Sequence, residues 1–138
     1  MEREQKQELE QKKEYLQSYL PKFSAAKRLE HEIERFQQAR INPCIKIDNM
    51  NHFNETYDLS SYMTSLDILV STLIKARYDR IKAYTEIFNR IEFMEDETEK
   101  ELLKLRYLKG LKWDKICLEL GFEWAQIHRI HRKALEHF

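Results

Sequence analysis

The side chains with the clearest chemical capacity lie near the end of the chain. Gln126, His128, Arg129, His131, Arg132 and Lys133 follow one another closely, with Lys112 and Lys115 shortly before them. Amides and guanidiniums offer hydrogen bonds in pairs. Gln matches the edge of adenine and Arg that of guanine, each good pair contributing about 1–3 kcal/mol of discrimination against the wrong base. Lysines bind phosphate as point charges, which positions a protein on a duplex without reading its sequence.

Metal chemistry has weaker support. His128 and His131 share a helical face, but zinc needs three or four converging ligands, and Cys117 is expected on an inner face pointing elsewhere. Catalysis also lacks its usual parts. The two glycines, Gly110 and Gly121, make no phosphate loop, and no nucleophile motif or carboxylate pair in an apolar pocket is visible. No enzyme activity, cofactor, metal or small-molecule substrate is therefore expected.

Three short amphipathic helices would have to position the basic residues. Leu102, Leu103, Leu105, Tyr107 and Leu108 mark a lead helix that Gly110 ends. Trp113, Ile116, Cys117 and Leu120 form the inner face of a scaffold helix, and Gly121 suits the positive-φ corner that follows. Phe122 plugs that corner. Ile127, Ile130, Ala134 and Leu135 set the buried face of the last helix, leaving Trp124, Ala125, Gln126, His128, Arg129, His131, Arg132 and Lys133 outward. A short helix, a tight turn and a basic second helix are the parts of a helix-turn-helix. Although the chain has no net formal charge, basic residues outnumber acidic ones from Leu102 onward.

The rest of the chain reads as long helix. Charged residues make up 35% of it, with only four Gly and Pro residues in total, which favours helices with a solvated face over sheet. Leu9, Leu16, Leu20, Phe23, Ala26, Leu29, Ile33 and Phe36 define one helical face, on which Pro21 imposes either a kink or a restart. The even apolar phase favours the kink. Residues 41–58 carry no helical period and read as a linker, with Ile45 and Ile47 either a scrap of strand or packed on a neighbour. Asp58, Ser60, Ser61 or Thr64 could cap a second long helix running to about Met94, with Leu66, Leu69, Val70, Leu73, Ile74, Ile81, Tyr84, Ile87, Phe88 and Ile91 as its apolar stripe. An all-α architecture follows. Residues 1–95 form a long antiparallel, coiled-coil-like hairpin for oligomerisation, and 96–138 form a three-helix module that Glu95-Asp96-Glu97 opens. Stripes of this length favour a homodimer. Cys44 and Cys117 imply no disulfide framework, and Met1 to Lys13 is too polar for a signal peptide. No apolar run approaches the ~20 residues that span a bilayer. A protein of the cytoplasm with no membrane role is expected.

The module resembles the fourth conserved region of bacterial sigma-70-type factors, which recognises the promoter −35 element. The matching parts are Leu102-Leu103-x-Leu105-Arg106-Tyr107, the core Trp113-x-x-Ile116-Cys117-x-x-Leu120-Gly121-Phe122, and the closing Ile127-x-x-Ile130-x-x-Lys133-Ala134-Leu135. With its long leading helices, the chain is more loosely similar to small phage and prophage transcriptional regulators of Gram-positive bacteria. Lys112 and Glu123 stand where that pattern usually has Ser or Thr caps, and a carboxylate at the second corner would repel phosphate.

The resemblance implies a regulator acting on double-stranded DNA inside a bacterial host. Gln126, Arg129, His128 and Arg132 are the candidates for base edges, Lys112, Lys115 and Lys133 for the backbone, and Trp124 for DNA or a protein partner. Two rival readings remain at this point. One is an adaptor contacting RNA polymerase or a host regulator, and the other is a recognition subunit for phage DNA packaging.

Overall fold

A computed structural model describes residues 1–41 and 55–138. The described residues are helical with short turns and contain no strand: α1 is Glu2–Gln17, α2 Tyr19–Ile41, α3 Glu55–Glu92, α4 Glu97–Leu103, α5 Trp113–Leu120 and α6 Trp124–His137. The protein is all-α. No described helix is long and apolar enough to cross a membrane. The expectations for Cys44, Ile45, Ile47 and most of the 41–58 linker fall outside the described residues.

Ahead of Pro21 the helix is interrupted at a single residue, Ser18, which keeps right-handed helical angles of φ −70° and ψ −20°. α1 stops at Gln17, and Ser18 caps it through both its main-chain N–H and its hydroxyl, which donate to the Tyr15 carbonyl at 3.2 and 2.6 Å. α2 resumes at Tyr19, so Pro21 falls in a first turn, where a missing N–H is tolerated. α3 begins at Glu55, earlier than its caps suggested. Asp58, Ser60, Ser61 and Thr64 all lie inside it, and Thr64 spends its hydroxyl on the Ser60 carbonyl.

Two compact units emerge from the contacts, dividing the chain elsewhere than at residue 95. One combines residues 1–22 with 80–138. Leu16 from α1, Ile87 and Ile91 from α3, Leu102 and Leu103 from α4, Ile116 from α5 and Ile127 from α6 are almost entirely excluded from water in a single cluster. Burying such side chains contributes roughly 1.5–3 kcal/mol each. The other unit spans residues 23–79. There Arg77 donates two hydrogen bonds to one Glu30 carboxylate oxygen, at 2.7 and 2.9 Å, and Phe36 stacks on Tyr62. Among the described residues of this unit Ala26, Ile33 and Leu73 are buried, whereas Val70 and Ile74 are exposed.

Candidate nucleic-acid interface

α4 starts on a strong cap: one Asp96 carboxylate oxygen accepts from the N–H groups of Thr98 and Glu99 at 2.9 and 3.1 Å. The helix then widens into a π-helical turn over Lys104–Leu108, where the Lys109 N–H reaches the Lys104 carbonyl five residues back. That widening lets Leu102, Leu103, Leu105 and Tyr107 all be buried. Gly110 turns the chain with φ of +71°, where an added Cβ would meet the Leu20 side chain at 3.3 Å.

α5 and α6 both begin on residues whose side chains cap nothing. Lys112 and Glu123 have extended backbones, and only their carbonyls join the helices that follow. Between the two helices Gly121 adopts φ of +72°, and its N–H and that of Phe122 close on the Cys117 carbonyl at 2.9 and 3.2 Å. A residue without Cβ takes this left-handed conformation at least cost. α6 buries Ile127, Ala134 and Leu135 and half-buries Ile130.

The expected site residues separate into strips. Arg129 and Arg132 are exposed on the outer side of α6, with the Arg132 guanidinium 3.5 Å from the Glu136 carboxylate. Gln126 and Lys133 are also exposed, but they flank a shallow depression shared with Asp96, Glu99, Phe122 and His137. Trp124 and His128 lie on the opposite flank, their rings 4.7 Å apart. Lys112 and Lys115 are exposed at the start of α5.

No family model, curated protein or solved structure matches the chain.

His131 was expected to face outward with the others, and it does not. Its Nε2 forms a 2.7 Å hydrogen bond with the Tyr107 hydroxyl, and its ring lies 4.8 Å from that of Trp113. Burial dominates, with the charges of Lys13, His128 and Arg106 adding to it, and together they push the imidazole down to about 4. At neutral pH His131 is therefore an uncharged packing residue. Burial likewise pushes the Tyr107 hydroxyl up to about 12. Trp113, expected in the core, is half-buried, with His128 and His131 at its ring and the Arg106 guanidinium 4.5 Å from its centre.

Two further features carry no sequence signature. His137, at the end of α6, bonds buried Glu99 of α4 at 2.7 Å, and this hydrogen bond holds the imidazole above its ordinary value. α1 packs beside the second half of α6, where the Lys12 ammonium reaches the Glu136 carbonyl at 3.3 Å. A groove between them is walled by Glu2, Glu8 and Glu10 on α1 and by Arg132 and Glu136 on α6. Arg129 and Gln126 lie outside it.

Proposed function

We propose that the chain is a sequence-specific DNA-binding transcriptional regulator of phage or prophage genes. In this reading α4 to α6 are the three helices of a sigma-like helix-turn-helix, and α6 enters the major groove. Residues 23–79 are the antiparallel, coiled-coil-like hairpin of a homodimer that presents two such heads. The observation that carries the proposal is the division of α6. Ile127, Ala134 and Leu135 are buried on one side, while Arg129, Arg132, Gln126 and Lys133 stand exposed, with the turn into the helix set by Gly121.

The first half of α6 does the reading, as in helix-turn-helix proteins generally. Arg129 and Gln126 serve base edges, and His128 and Trp124 border the groove on the α5 side. Arg132 sits where α1 begins to crowd the helix, so it contacts either a base or the adjoining backbone. Glu123 would repel a phosphate at the start of α6. The backbone contacts therefore come from Lys112, Lys115 and Lys133.

Selection of bound fragments from prophage DNA, followed by affinity measurements at two salt concentrations, tests the reading. Binding should weaken steeply with salt, since each neutralised phosphate contributes a slope of about −0.9 in log K against log salt. Arg129→Ala with Arg132→Ala should abolish sequence preference, whereas Lys115→Ala should weaken all sequences alike and lower the slope by about one. A complex insensitive to salt and to the arginine pair would reject the proposal.

Exposed apolar side chains support a second reading. Leu118 on α5 is 84% exposed and Trp124 on α6 is 54% exposed, which suits an adaptor that touches RNA polymerase or a host regulator. Polymerase capture that survives the double arginine substitution and fails on Leu118→Glu would favour that alternative.

A further inference from the structure

α3 carries more apolar surface than its own unit uses. Within residues 23–79, Leu73 packs inward while Leu59, Met63, Val70, Ile74 and Tyr78 remain between 38% and 65% exposed. At 3.6 residues per turn these five fall along one stripe beside the packed face. Isolated exposed apolar residues are ordinary. A run of five along one helix face is not.

We propose that this stripe is the surface on which a second copy of the chain docks, antiparallel, α3 against α3. Area supplies the first argument. The exposed fractions amount to roughly 500 Å² per chain, so two copies would remove at most about 1,000 Å² from water, the lower end for a protein interface and the size of a weak dimer. Symmetry supplies the second. A dyad-related contact uses the same residues from both sides and must be self-complementary. Leu59 and Met63 are separated by one helical turn, as are Ile74 and Tyr78, so reversing the helix sets Leu59 against Tyr78 and Met63 against Ile74, with Val70 facing Asp67 near the dyad. Composition supplies the third, because interfaces between copies are more apolar than the rest of the surface and Met63 and Tyr78 are of types enriched at their centres.

The surface deepens the homodimer reading above and rests on it, without depending on DNA binding. Ile74→Glu with Tyr78→Glu tests it in the full chain. Both positions are exposed and Glu favours helix, so the monomer fold should survive, as helical circular dichroism and the melting curve would check. Sedimentation at micromolar concentration should show the unaltered chain at twice its 16.9 kDa mass and the variant at its single mass, with dimerisation weakened at least about tenfold.

An unaltered chain that sediments as a monomer overturns the dimer and the surface together. A variant that still dimerises overturns the surface and leaves the dimer standing. A larger ring overturns both, because it requires head-to-tail contacts rather than a dyad.

Discussion

Residues 1–22 with 80–138 and residues 23–79 are made of the same kinds of residue, yet they bury them to different depths. The first unit gathers five helices around Leu102, Leu103, Ile116 and Ile127, each at 0% exposure. Among its described residues the second has parts of two helices, and the best-buried large side chains there, Ile33 and Leu73, retain 9%. Two helices can cover only one stripe of each other, whereas a third and a fourth close the remaining sides. Apolar pattern alone therefore does not make a core. What decides burial is how many elements converge on it.

Truncation should expose that contrast most strongly. Ile127→Ala removes methyl groups from a site with no water contact and should cost about 2–5 kcal/mol in urea unfolding. Ile74→Ala should stay within about 0.5 kcal/mol when measured on the monomer. Equal losses at the two positions would mean that the second unit is as tightly enclosed as the first.

Acid should act next, again through the first unit. The His131 pKa is about 4 in the folded chain and about 6.5 when unfolded, so the unfolded state binds the proton more readily. The resulting stability is complete above pH 6.5 and lost as pH falls toward 4, at most about 3 kcal/mol before solvent screening reduces it. His131→Gln should flatten that acid limb. A midpoint independent of pH in the unaltered chain would break the account.

The two glycines provide a finer test. Gly110→Ala and Gly121→Ala each place a Cβ on a left-handed backbone, at about 1–2 kcal/mol. Gly110→Ala should cost more, because the new Cβ meets Leu20 at 3.3 Å, while nothing lies within 4 Å at Gly121. The smallest effect expected is at His137. Its bond to Glu99 raises the imidazole pKa, so that contribution is present below pH 6.5 and fades as pH rises through the folded value. Glu99→Gln should remove this alkaline drift.

Much of the C-terminal geometry was legible in the residue pattern. Ile116, Ile127, Ala134 and Leu135 are buried as their spacing predicts, and Gly110 and Gly121 take the positive φ their positions suggest. Local periodicity and turn chemistry are written residue by residue. His131 shows the limit: its spacing permits an outward face, but Tyr107, brought in by a π-helical turn with no Gly or Pro to announce it, supplies a partner that holds the ring inward. α3 shows the same limit from the other side. Val70, Ile74 and Ile81 fit the stripe and stay exposed, because periodicity reports that a residue is apolar without saying what will cover it.

By itself the chain's order of residues determined that it would be helical, roughly where its C-terminal helices begin and end, and which side of α6 would carry charge, since all of these depend on neighbours within a turn or two. Only the tertiary structure decided that α1 would lie beside the second half of α6 and that Arg132, but not Arg129, would share its groove. Those outcomes depend on contacts between Lys12 and Glu136, more than a hundred residues apart, where no local pattern reaches.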